Sequence, residues 1–318
     1  MTSDVLLEVD TVVAGFGVTT VLHGLSFTVR RGEVAGIFGL NGAGKSVTMK
    51  VLAGIVPVRS GHVRYDGADI TSMPAEERVA RGMAHVPQGR QVFAALTVEQ
   101  NLRLGAYPLR RRDKSRYASV LDGVLDRFPI LAERRKQIAG TMSGGQQASL
   151  AVARALMAEP NLMLVDEPSA GLSPTVVQEL FHTLKSVAAT GVTMVLVEQN
   201  VAFGLQLVDT ANILQVGQIV HAGPVADLDQ ASLATYLGVG RLLGGGTSAA
   251  LAGRRAPVKK TRVTSAKTNA AAKAAPVRKA AAKAAPVRTA AAKAAPVRTA
   301  AAKAAPVRKA PVPGDDRG

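Results

Sequence analysis

The sequence predicts an α/β fold: an antiparallel β subdomain, a core built on a parallel sheet, and a helical insertion within that core. Three observations carry this. The first 30 residues alternate, with Leu25, Phe27 and Val29 set against Ser26, Thr28 and Arg30, the period of strands with one buried face. Val34 to Phe38, Leu162 to Val165 and Val192 to Val197 are short, almost continuous apolar runs, as expected of parallel strands covered by helices on both faces. Each run leads into a polar turn and then a helical pattern.

In chain order, Lys45 to Ala53 reads as a helix closed by Gly54. Residues from about 95 to 158 read as mostly helical. They open on Thr97-Val-Glu-Gln100, the pattern of a capping box, and pass a charged elbow at Arg110 to Lys114. A helix capped by Ser143 places Leu150, Ala153 and Met157 on one face, with Pro160 beyond its end. Another begins at Ser173-Pro174, with Ser as N-cap and Pro at the first helical position, and aligns Val177, Leu180, Phe181 and Leu184. Ile213 to Val216 and Gln218 to His221, around Gly217, read as a late hairpin.

The 318 residues carry 39 basic and 23 acidic side chains, a net charge of +16. Residues 1–253 hold 22 basic and 21 acidic groups, so the body is near neutral and residues 254–318 hold the remaining +15. A basic nucleic-acid-binding fold is therefore a poor description of the body. The absence of cysteine excludes disulfide frameworks, cysteine-ligated metals and cysteine nucleophiles. The acidic start of the chain lacks the pattern of a secretory signal, and no run of 18 apolar residues occurs, so the expected location is cytoplasmic.

Gly39-Leu-Asn41-Gly42-Ala-Gly44-Lys45-Ser46 follows a buried strand and opens a helix, the setting a phosphate loop requires. Glycines let backbone amides converge on phosphate oxygens, Lys45 supplies a point charge, and Ser46 offers a hydroxyl to Mg²⁺. After the run 162–165 come Asp166 and Glu167. One carboxylate can hold Mg²⁺ and the other can orient or deprotonate an attacking water, roles that fit Asp166 and Glu167 respectively. Twenty-three residues before Asp166, Ser143-Gly144-Gly145-Gln146 opens its helix with two glycines that bare the positive helix end to an anion.

The phosphate loop, then Gln88, then Ser143 to Gln146, then Asp166-Glu-Pro168, in this order and spacing, resembles the ATP-binding subunit of an ABC transporter over about residues 5–240. The resemblance implies that Phe16 stacks on adenine, that Gly39 to Ser46 bind the phosphates and Mg²⁺, and that Gln88 senses Mg²⁺ and meets the transmembrane partner. It also implies that Ser143 to Gln146 bind the γ-phosphate of ATP held by the opposite subunit of a head-to-tail dimer. Val86-Pro-Gln-Gly-Arg-Gln-Val-Phe93, Asp166-Glu-Pro-Ser-Ala-Gly-Leu-Ser-Pro174 and Val197-Glu-Gln-Asn200 are similar to the shorter ATPase subunit of branched-chain amino acid importers. Gln199 stands where most ABC ATPases carry a histidine against the γ-phosphate. A neutral amide still donates a hydrogen bond there but carries no proton at pH 7. The implied setting is a peripheral subunit on the inner face of the cell membrane, with transmembrane permease subunits and a second ATPase subunit, like or unlike, as partners.

The body is expected over residues 1–243 and a linker and tail over 244–318. Residues 270–309 are four copies of a ten-residue Ala/Lys/Pro/Arg unit. Pro276, Pro286, Pro296 and Pro306 interrupt every stretch of alanine, so the tail is expected to be disordered. Its charge suits an anionic membrane or a nucleic-acid backbone. A soluble ABC ATPase acting on nucleic acid is therefore the alternative. A single phosphate loop, no zinc-binding cysteines, and a spacing of only 121 positions from Lys45 to Asp166 favour transport.

Overall fold

The computed structural model describes residues 4–89 and 91–228. The proposed boundary at 243/244 and the repeats lie outside them. The alternating N-terminal segment forms two long strands, β1 (Val5–Phe16) and β2 (Thr19–Arg30), paired antiparallel with Val9 opposite Phe27. Leu25, Phe27 and Val29 are buried and Ser26, Thr28 and Arg30 are exposed, as the period of two demands. Two strands that the sequence pattern did not single out, β4 (Val58–Tyr65) and the two-residue β5 (Ala68–Asp69), complete a sheet of order β2-β1-β4-β5. In β4 only Val63 and Tyr65 are fully buried, so its first half carries no apolar signal.

The second sheet has the order β10-β9-β3-β8-β7-β6. Its centre is β3 (Val34–Phe38), β7 (Leu162–Asp166) and β8 (Thr193–Glu198), every residue of which is buried. β6 (Met83–Val86) pairs parallel with β7, β7 with β8, and β8 with β3, so all four strands end on the same edge. β9 (Thr210–Gln215) runs parallel to β3, and β10 (Gln218–Pro224) returns antiparallel through a turn at Val216 and Gly217, both at positive φ.

The phosphate-loop helix, α1 (Lys45–Leu52), stops at Gly54, whose φ of +75° lies in the left-handed region. α2 (Ala75–Ala80) precedes β6. The insertion contains α3 (Val98–Gly105), α4 (Tyr107–Arg112), α5 (Tyr117–Arg127), α6 (Pro129–Glu133) and α7 (Gly144–Leu156). Thr97 and Gln100 form both bonds of the expected capping box. The charged elbow begins later than the sequence suggested, because α4 continues to Arg112 and the chain turns only at Asp113. α8 (Pro174–Ala188) buries Val177, Leu180, Phe181 and Leu184, although Ser173 makes no side-chain cap bond. The short α9 (Val201–Gly204) follows β8. No helix among the described residues is long and apolar enough to cross a membrane.

Candidate active site

Between β3 and α1 the chain turns at the edge where the parallel strands end. Gly42 and Gly44 have φ of +82° and +110°, backbone conformations that a side chain would strain. A Cβ on Gly39 would lie 2.3 Å from the Leu214 carbonyl oxygen, so the first glycine is fixed by close approach. Lys45 is 4% exposed, and its Nζ donates to the carbonyls of Gly39 at 2.8 Å and Leu40 at 3.2 Å. Asn41 is exposed on the loop, and Ser46 is half-buried in the first turn of α1.

One strand beyond β8, β7 delivers the two carboxylates. Glu167 is buried and has a φ of +42°, costly for a non-glycine residue, and its N–H donates to Val197 O at 2.9 Å. Its Oε2 accepts from Gln88 Nε2 at 2.7 Å, and its Oε1 lies 3.7 Å from Lys45 Nζ. The ends of β6 and β7 and the phosphate loop thus meet in one chain of polar contacts. Asp166 is 4% exposed, and its Oδ1 has no hydrogen-bond partner. Burial, and then the charge of Glu167, push its pKa up to about 6 against the opposing charges of Lys50 and Lys45. A buried carboxylate oxygen without a donor suits a bound cation.

The remaining candidates lie apart from this junction. Phe16, at the end of β1, is half exposed, with Lys50 Nζ 5.7 Å from its ring centroid. Ser143 caps α7 through a complete capping box with Gln146. Gly144 opens the helix. Gly145 is held to glycine by packing as well, because a Cβ there would come 2.3 Å from Val176 Cγ1 on α8. Ser143, Gly145 and Gln146 line a surface cleft with Phe128, Val176 and Glu179, which contains no residue of the Lys45–Gln88–Glu167 junction. Gln199 is exposed just beyond β8.

Sequence reasoning gave no role to Glu198. It is 1% exposed and accepts four hydrogen bonds, two from Ser169 and one each from the backbone N–H groups of Gln199 and Asn200. Burial raises its pKa, while these donors oppose the shift. The available signal was a carboxylate ending an apolar strand run, the same signal that marked Asp166.

A phosphate loop between a central parallel strand and its helix, with a buried Asp-Glu pair at a nearby strand end, defines a phosphate-loop nucleotide hydrolase. The ABC transporter family model matches residues 22–170. Over 215 residues, 68% of this chain and 91% of the relative, the chain is 43% identical to the high-affinity branched-chain amino acid transport ATP-binding protein BraG of Pseudomonas aeruginosa. It is 38% identical over 216 residues, 68% of this chain and 90% of the relative, to a protein of Archaeoglobus fulgidus named as the probable branched-chain amino acid transport ATP-binding protein LivF. Among solved structures it resembles the ADP conformation of MJ1267, an ATP-binding cassette of an ABC transporter, with a TM-score of 0.65, 26% identity, and coverage of 74% of this chain and 99% of that one. The chain belongs to the ABC transporter family, as an ATPase subunit.

Proposed function

We propose that the chain is the ATP-hydrolysing, energy-coupling subunit of a branched-chain amino acid importer, with residues 1–243 as its catalytic body. It would work as a dimer at the inner face of the cell membrane. The observation that carries the reading is the junction of Lys45, Gln88 and Glu167, which joins the phosphate loop to a base and to the segment entering the helical insertion. The substrate class rests on the names of the two relatives above, and the dimer on the resemblance of Ser143 to Gln146 to a family motif.

In this reading the loop amides from Gly39 to Lys45 cradle the phosphates of ATP, and Lys45 turns its ammonium from Glu167 towards them. Phe16 offers its exposed face to the adenine. Glu167 accepts a proton from the attacking water, and Gln199 donates an amide N–H to the γ-phosphate. Ser143 and the N-terminus of α7 complete the site on the ATP of the opposite subunit. Ser46, Gln88 and Asp166 would hold Mg²⁺, the buried Oδ1 of Asp166 gaining the partner it lacks. When bound, the ion neutralises charge on the phosphate oxygens. Because Gln88 is bonded to Glu167, rearrangement at the nucleotide moves the segment that leads to α3, where a permease would be engaged. For residues 244–318 we propose an electrostatic contact with anionic phospholipid.

One variant tests the catalytic and transporter parts of this reading. Glu167→Gln, tagged and purified from its native membranes with ATP, should bind ATP, turn over at least about 100-fold more slowly, accumulate as a dimer and carry permease proteins with it. Unchanged turnover would remove Glu167 from the role of base. Purification without any integral membrane protein would remove the transporter assignment.

A further inference from the structure

Glu198 ends β8 between two strands that carry the proposed chemistry: it lies opposite Phe38, which leads into the phosphate loop, while Val197 beside it lies opposite Asp166. Its carboxylate is nearly inaccessible and spans two loops. Oε1 accepts Ser169 N–H at 3.0 Å, and Oε2 accepts Ser169 Oγ–H at 2.8 Å, Gln199 N–H at 3.1 Å and Asn200 N–H at 3.2 Å. Ser169 stands two residues after Glu167, and Gln199 is the next residue along the chain from Glu198 itself.

The left-handed backbone of Glu167 needs fixing from both sides, since such a conformation persists only where its surroundings over-determine it. On one side its N–H is tied to Val197 O at 2.9 Å. On the other, two residues later, Ser169 is tied by both its backbone and its hydroxyl to Glu198. Neighbouring residues of β8 thus hold both ends of the Glu167-Pro168 step. The same carboxylate sets the backbone of Gln199. A carboxyl group that accepts from four donors is a strong anchor, and an amide cannot replace it. Glutamine has one acceptor oxygen and would turn an NH₂ towards N–H groups.

We propose that Glu198 is a positioning residue that clamps the Glu167 loop to the Gln199 segment, so that the two act on the same γ-phosphate in fixed register. This rests on the reading of Glu167 and Gln199 given above. The hydrogen bonds of this carboxylate go to Ser169, Gln199 and Asn200 and to no residue of the phosphate loop, so its loss falls more on turnover than on nucleotide affinity.

The test compares Glu198→Gln with Glu167→Gln in the full chain, by steady-state ATP turnover and by amide hydrogen exchange. Glu198→Gln should lower kcat roughly tenfold or more with KM for ATP within about twofold, and residues 167–172 and 199–204 should lose exchange protection together. If kcat is unchanged while Glu167→Gln abolishes it, Glu198 serves packing only and the clamp is wrong, although Glu167 keeps its role. Normal turnover by Glu167→Gln overturns that role instead, and the exchange data then decide the clamp: joint loss of protection supports it, and loss in one segment alone refutes it. Should Glu198→Gln fail to fold, Ser169→Ala removes a single bond to the same carboxylate. It should still lower kcat several-fold at constant KM, and an unaltered kcat would overturn the proposal.

Discussion

His85, in β6, is half-buried, and its buried Nε2 has no hydrogen-bond partner. Burial, reinforced by the charge of Lys50, lowers its pKa to about 4, so the ring is neutral in the folded protein at pH 7. In the unfolded chain it titrates near 6.5. Between those values the unfolded state binds more protons than the folded one, so stability rises with pH. The contribution is fully present above about 6.5 and is lost as pH falls to about 4, an effect on the order of 3 kcal/mol at most. His85→Leu should therefore flatten the fall in melting temperature between pH 6.5 and pH 4. An identical pH profile for the two proteins would show that His85 does not set it.

At the scale of the element, α1 depends on a residue far along the chain. Arg78, on α2, is 2% exposed, and its guanidinium donates to five backbone carbonyls with no carboxylate among them. Two of these, Val51 and Leu52, are carbonyls at the C-terminal end of α1, and Ile70, Thr71 and Met73 belong to the segment between β5 and α2. A fixed cation at a helix C-terminus meets both the orphan carbonyls and the helix dipole. Arg78→Ala should lower stability by about 2–4 kcal/mol, read as a lower urea midpoint. A change under about 0.5 kcal/mol would mean water replaces the guanidinium without loss.

Elements were legible in the sequence where one residue pattern has one physical meaning. The apolar runs of β3, β7 and β8 are too short for buried helices and are bounded by polar turns, and Thr97 with Gln100 could satisfy each other without help from the rest of the chain. The N-cap at Ser143 is equally local, although its reciprocal bond with Gln146 was not read from the sequence. β4 was missed because only Val63 and Tyr65 of its eight residues are fully buried, and β6 because four residues are too few to show a period. The end of α4 was placed too early because a run of arginines reads as a turn, yet arginine is a good helix former.

For the whole molecule, the charge and the chemistry separate along the chain. The near-neutral body contains every proposed nucleotide-binding element, and 17 basic residues lie in 254–318. A chain ending at residue 253 should keep ATP turnover within about twofold of the full chain. It should lose cosedimentation with anionic phospholipid vesicles, since each basic residue near such a surface contributes about 1 kcal/mol. Vesicle binding that survives the truncation would place the membrane contact on the body. Loss of DNA binding in its place would favour a nucleic-acid partner.

What the sequence determined by itself was the set of candidates for the proposed site: a phosphate loop, an Asp-Glu pair, a capped glycine pair and two glutamines, each recognisable because its chemistry is written in a few adjacent residues. The tertiary structure decided which of them meet. Gln88 reaches Glu167 across 79 positions, and Glu198 reaches Ser169 across 29. Both contacts follow from the order β3-β8-β7-β6. Periodicity reports which face of a strand is buried but carries no information on its neighbour, so the partners of Glu167 and Glu198 were fixed only when the sheet assembled.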